Sequence, residues 1–166
     1  TQRWRSLFGL GRINADPHPG NYRLSESGIA FLDFGCVRAF SPEVIDCERR
    51  LVEAVRSDDA AAFRLATLDS GMVVDARRFD FEQHQAFVSH LWRPLSTPGF
   101  MLDRDYFAQA QKLTGPSNPN LRRMAIPPWW IWLQRLHWGL LSVLGKLKVP
   151  LDLSETLEEC LALTRL

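Results

Sequence analysis

The residues able to do chemistry are concentrated in one stretch, INADPHPGNYRLSESGIAFLDFG, residues 13–35. Asp16 and Asn21 stand five positions apart, and Asp33 opens an Asp-Phe-Gly tripeptide 17 positions after Asp16. Phosphoryl transfer asks for acids of two kinds. One carboxylate must sit beside the attacking hydroxyl or water, and oxygen ligands must hold magnesium against a triphosphate. Asp16, Asn21 and Asp33 are among the oxygen-bearing side chains of those types in this stretch. The structural alternative is that Asp16 and Asn21 cap local turns and Asp33 is a helix-start acid.

For these side chains to meet, the chain between them must fold back. ADPHPGN cannot be helical, since each proline removes a donor and restricts its predecessor. NYRL and GIAFLDF read as two short strands joined by a Ser-Glu-Ser-Gly turn. That hairpin places Asn21 at its entry and Asp33 at its exit, within reach of one cation. His18 lies between Pro17 and Pro19, so its backbone is stiff. Its ring either meets phosphate or positions Asp16, or is a loop histidine bonded to nearby backbone. No cysteine or histidine at suitable spacing makes it a zinc ligand.

The flanking chain is helical. Arg3 to Phe8 reads as a helix end stopped by Gly9 and Gly11. Ser41-Pro42-Glu43 is a capped start for a helix ending near Ser57, with Val44, Leu51, Val52 and Val55 on its apolar stripe. Further helices are predicted over about 59–68, 81–92 (ending before Pro94), 104–113 and a last one capped by Ser154. TGPSNPN, residues 114–120, is the one linker-like piece. The apolar segment Ala125–Leu151 invites a membrane-spanning reading. Gln134, Arg135, His137 and Lys146 interrupt it, so a core or membrane-surface helix is better supported.

In protein kinases an aspartate and an asparagine five positions later share one loop, and a further aspartate begins Asp-Phe-Gly after a hairpin. The exact words narrow this further. ADPHPGN followed by LDFG resembles the catalytic core of the UbiB-like atypical kinases, the AarF or ubiquinone-biosynthesis family. Residues 15–21 match that family's characteristic Ala-Asp-Pro-His-Pro-Gly-Asn without a gap. Residues 14–35 are the specific part, and the likeness continues loosely into the tryptophan-rich segment after Ala125. The resemblance implies a catalytic Asp16, nucleotide contacts from His18, Asn21 and Asp33, and magnesium held with ATP by Asn21 and Asp33. It implies an α+β, mostly helical fold: the C-lobe of a protein-kinase-like fold with one small β-hairpin.

Two departures qualify the match. Asn14 stands where the family usually has a histidine that braces the catalytic loop against Asp-Phe-Gly, and an asparagine can still donate and accept. No lysine precedes Lys112, and the family's Lys-x-Gly-Gln motif and strand lysine are absent. Arg12 or Arg23 can meet phosphate by charge, but neither has the expected context. Residues 1–166 therefore read as a C-lobe alone, with the catalytic segment at 13–35, a helical remainder at 41–166 and the N-lobe outside this chain. The resemblance links the parent to ATP hydrolysis or phosphoryl transfer in ubiquinone or isoprenoid-lipid metabolism, with the isolated chain inactive. Its partners would be nucleotide, the missing N-lobe and a membrane surface or isoprenoid lipid. The rival from another class is a non-catalytic, degenerate kinase-like interaction module. A small-molecule kinase of the aminoglycoside or choline type fits less well, because the full seven-residue string is not its habit.

Composition sets outer bounds. The 166 residues are 46% hydrophobic and 23% charged, the mixture of a folded domain. A net charge of +1 with scattered arginines leaves no electrostatic footprint for nucleic acid. Cys36, Cys47 and Cys160 are odd in number and far apart, which argues against a disulfide framework and for a reducing compartment. The expected location is cytoplasmic, or peripheral to a membrane on its reducing side. Arginine-rich, lysine-poor usage associates the chain with a bacterial source.

Overall fold

Each predicted helix and the predicted hairpin form, but their ends and their partners are set by packing. A computed structural model describes residues 2–26 and 28–163, apart from the side chains of residues 2, 3 and 24. Helix α1 (Gln2–Leu10) runs through the expected stop at Gly9, because Trp4, Leu7 and Phe8 bury one face of it. It ends at Gly11, whose φ of 64° is left-handed and whose N–H bonds the Leu7 carbonyl at 3.0 Å.

Among the described residues four short strands then make two antiparallel pairs, not one hairpin. β1 (Arg12–Asn14) pairs with β4 (Val37–Ala39), with Ile13 opposite Arg38 and Asn14 opposite Val37. β2 (Tyr22–Ser25) pairs with β3 (Gly28–Phe31), the hairpin read from the sequence. Of its predicted Ser-Glu-Ser-Gly turn, Ser27 lies outside the described residues. Leu32 to Phe34, expected to continue the second strand, leave it. The β1–β4 pair was not legible, because three residues are too few for a period-2 pattern to register.

Seven α-helices among the described residues make the fold α+β and mostly helical. α2 (Pro42–Arg56) starts at Ser41, but Ser41 makes no side-chain cap bond, and the start signal is left to Pro42 and the first-turn acid Glu43. Its buried stripe is Ile45, Cys47, Glu48, Leu51, Val52 and Ala54, while Val44 and Val55 are only partly covered. α3 (Ala60–Asp69) packs against α2 and is capped by Asp59, which accepts the Ala62 N–H at 2.9 Å.

α4 (Phe81–Ser96) corrects a prediction, since it continues past Pro94. Proline removes one bond in the last turn, but Pro94 and Leu95 are buried and Thr97 N–H still reaches the Arg93 carbonyl at 3.0 Å. Packing outweighs the lost donor there. α5 (Arg104–Thr114) and α6 (Pro128–Leu147) follow. In α7 (Ser154–Ala162) Leu153 holds the N-cap position without a side-chain cap bond, and the Ser154 hydroxyl turns to Asp152 at 3.1 Å. Residues 164–166 of that predicted helix lie outside the described residues.

The linker-like piece is no boundary. Asn120 is fully buried, accepts the Asp80 N–H at 2.8 Å and donates to the Asp80 carbonyl at 2.7 Å, stitching residues 114–120 to the start of α4. The Asp80 side chain caps that helix by accepting the Gln83 N–H at 2.9 Å. Asp80→Ala is therefore expected to lower stability by about 1 kcal/mol, read as an earlier urea midpoint at unchanged m-value. An unshifted midpoint would remove the cap from the account.

α6 is the apolar segment of the sequence. Trp130, Leu133, Leu136, His137 and Leu141 are buried on it, and no described helix is long and apolar enough to cross a membrane. His137 meets Trp4 and Trp92 at ring-centroid distances of 5.3 and 5.2 Å, and its Nε2 lies 2.7 Å from the Leu91 carbonyl. This cluster binds α1, α4 and α6 together, so the helix carrying Arg135 is a fixed part of the core.

Candidate functional site

The two strand pairs are nested, and the nesting builds the site. β1 and β4 close the base of a long loop that holds every sequence-predicted site residue, with β2 and β3 as an inner arm. The base ladder extends one step further through Ala15 N–H to the Cys36 carbonyl at 2.9 Å. The arm extends likewise, since Leu32 N–H reaches the Asn21 carbonyl at 3.0 Å. Asp16 thus leaves one ladder as Asp33 approaches it, and Asn21 stands opposite the residue before Asp33.

Side chains complete what the ladders begin. Asn21 Nδ2 donates to Asp16 Oδ2 at 2.6 Å. Asn14 Nδ2 donates to the Asp33 carbonyl, and its Oδ1 accepts the Asp16 N–H at 3.1 Å. One amide therefore ties the strand end, Asp16 and the Asp-Phe-Gly segment together. This is the brace for which the resemblance expects histidine, made here without charge. Asp33 Oδ1 accepts the Gly35 N–H at 2.7 Å, which fixes its carboxylate over its own turn.

His18 takes a local role in this geometry. Its Nδ1 accepts the Gly20 N–H at 3.0 Å and caps the single 3-10 turn Pro19–Asn21, with the residue exposed. Arg12 and Arg23 are exposed on β1 and β2. Arg12 borders an apolar groove lined also by Leu10, Ile13, Asn14, Phe31, Phe34 and Val37. Leu32 and Phe34 beside it are 60% and 64% exposed, so the site has an uncovered apolar rim.

The donor set can be tested for magnesium. Asn21 spends Nδ2 on Asp16, which orients Oδ1 away as an acceptor, and Asp33 spends Oδ1 on Gly35, which leaves Oδ2. Magnesium takes hard oxygens, keeps several waters and needs only one or two carboxylates beside substrate phosphates. Among the described residues no three His, Cys, Asp or Glu side chains cluster as an all-protein metal cage. The residues present fit a shared magnesium–phosphate site and not a structural metal centre.

Sequence reading missed the contribution of α6. Arg135 Nε donates to the Ala15 carbonyl at 3.0 Å, and its Nη2 stands 3.7 Å from Asp16 Oδ1. One turn on, Gly139 lies against Pro17, and one turn before, the Arg38 guanidinium sits 4.4 Å from the Trp132 ring centroid. Residues 132, 135 and 139 share a helical face, so α6 lies along the loop 15–17. The available signals were a glycine inside a helical pattern, which marks close approach, and an arginine among the few polar residues of a mostly apolar helix.

The family model described as the ABC1 atypical kinase-like domain matches residues 2–84, half of the chain, including the whole of this loop. No curated protein matches the chain.

Proposed function

The chain belongs to the ABC1 atypical kinase-like family, and from that premise we propose that residues 13–35 form the magnesium–nucleotide half of a phosphoryl-transfer or ATP-hydrolysing site. The observation that carries the reading is the hydrogen-bonded chain Asn21–Asp16–Asn14–Asp33, which brings one acid and two metal-type oxygen donors to one loop. Asp16 orients the attacking hydroxyl or water. Asn21 and Asp33 hold the cation, with Asn14 keeping the two segments in register. Bound magnesium would neutralise charge on the phosphates. His18 holds the turn before Asn21 and leaves Nε2 toward the nucleotide side.

The same resemblance extends the proposal to ubiquinone or isoprenoid-lipid metabolism in a bacterium, in the cytoplasm or at a membrane surface on its reducing side. No lysine precedes Lys112, so a strand lysine for the phosphates must come from outside this chain. The chain by itself is proposed to bind Mg-ATP weakly and to turn it over negligibly, because positioning and charge stabilisation supply nearly all of this catalysis.

The test is Mg-ATP binding followed by backbone amide shifts. Wild type is expected to respond at residues 14–35, and Asp33→Asn to weaken the affinity roughly tenfold, the loss of one charge-assisted ligand. Equal affinity for both would remove Asp33 from the cation site. Robust magnesium-dependent hydrolysis by residues 1–166 alone, lost in Asp33→Asn, would instead make this chain sufficient. The uncovered rim of Leu10, Leu32 and Phe34 favours a second reading, a non-catalytic module that docks an apolar partner. That reading gains if wild type shows no amide response to Mg-ATP.

A further inference from the structure

A cation that stands beside Asp16 comes from outside the matched segment. Arg135 reaches the loop from α6, far along the chain from residues 2–84. Its side chain is 55% exposed, and its attachment is lopsided. Nε is committed to the Ala15 carbonyl at 3.0 Å, while Nη2 is 3.7 Å from Asp16 Oδ1, an ion-pair distance too long for a hydrogen bond. Among the described residues no hydrogen bond occupies its four Nη protons. A guanidinium presents five donors in a rigid fork, so anchoring one edge aims the other. The helix beneath it is held by the His137 cluster and by Gly139 against Pro17, so the arginine itself stands on a fixed element.

We propose that Arg135 is the phosphate-facing cation of this site: Nε holds the Ala15 carbonyl, and the Nη edge beside Asp16 receives the terminal phosphate of a nucleoside triphosphate. The assignment rests on the magnesium–nucleotide reading. It answers an electrostatic need of that site, because an aspartate and a triphosphate repel each other unless positive charge stands between them. The loop itself carries no lysine or arginine from Asn14 to Tyr22, and the arginines that flank it, Arg12 and Arg23, are exposed on β1 and β2. Arg135 supplies the charge from a rigid element, and planar bidentate recognition of phosphate is what an arginine does better than a lysine.

The experiment compares affinities for Mg-ATP and Mg-ADP in wild type, Arg135→Gln and Arg135→Lys, again from amide shifts. Wild type is expected to prefer ATP, and Arg135→Gln to lose that preference by on the order of tenfold. Arg135→Lys should keep part of it, since charge remains while the fork is lost. A merely structural role would weaken ATP and ADP alike and leave their ratio unchanged. An unchanged ratio in Arg135→Gln therefore overturns the assignment while leaving the nucleotide site in place, and so does a wild type with no preference for ATP. No response to either nucleotide in wild type overturns the nucleotide reading and this assignment with it.

Discussion

Replacing Gly139 with alanine is expected to cost about 3 kcal/mol, the upper part of the usual range for overpacking, and to abolish Mg-ATP binding. A Cβ at that position would lie 2.0 Å from Pro17 Cγ and 2.6 Å from Pro17 Cβ. The pyrrolidine ring is closed onto its own backbone and cannot swing aside as a long side chain would. Either α6 withdraws or the loop moves, and Asp16 is the next residue along that loop. A double-mutant cycle separates this clash from a general weakness of the helix. Pro17→Gly removes both offending atoms, so Gly139→Ala in that background should be nearly harmless, a coupling of roughly 3 kcal/mol. Urea midpoints that add without coupling would show that the two residues do not press on each other.

The second large effect is on pH dependence. Glu48 is buried on α2 with Oε2 unpartnered, and burial pushes its carboxyl from the ordinary 4.5 up to about 8. The folded state therefore keeps a proton that the unfolded state releases. Stability from this group is fully present below pH 4.5 and is lost as pH rises through 8, by about 1.4 kcal/mol per unit within that window. His84 and His137 act in the opposite sense. Burial lowers both from 6.5 to about 4, so they contribute stability above pH 6.5 that is lost as pH falls towards 4. The two limbs cross near pH 6.5, where stability should peak. From pH 6.5 to 8 the loss due to Glu48 is roughly 1 to 2 kcal/mol, and from pH 5 to 8 roughly 3 to 4 kcal/mol. Glu48→Gln keeps the shape and removes the titration, so its alkaline limb should be flatter by that amount. Parallel stability curves for wild type and variant between pH 5 and 8 would mean that Glu48 does not carry a proton in the folded state.

The second effect comes from a residue whose sequence context is unremarkable. Glu48 reads as an ordinary helix acid one position after Cys47, and only the packing of α2 shows that it points inward. Pro94 reads as a helix stop, yet burial of Pro94 and Leu95 carries α4 another turn. Ser154 reads as a cap, and the chain entering α7 puts Leu153 there instead. In each case the local signal is a preference of about a kilocalorie, which tertiary burial can override. Where no burial competes, as at Asp59 and Asp103, the acid before the helix caps it as local chemistry alone would have it.

What the sequence by itself determined is the order along the chain of the candidate site's loop residues. Asp16, Asn21 and Asp33, the proline-stiffened loop and the hairpin are all contained within 23 consecutive residues, and short-range sterics suffice to bring their ends together. The helix-rich class follows likewise from apolar periodicity and punctuation. Only the tertiary structure decided what closes the loop and what stands beside Asp16. β1 meets β4 across 25 positions, and Arg135 and Gly139 reach Ala15 and Pro17 across more than 100. No periodicity or spacing encodes such meetings, because they depend on where whole helices come to rest, and that is settled by the shared burial of Trp4, Trp92 and His137.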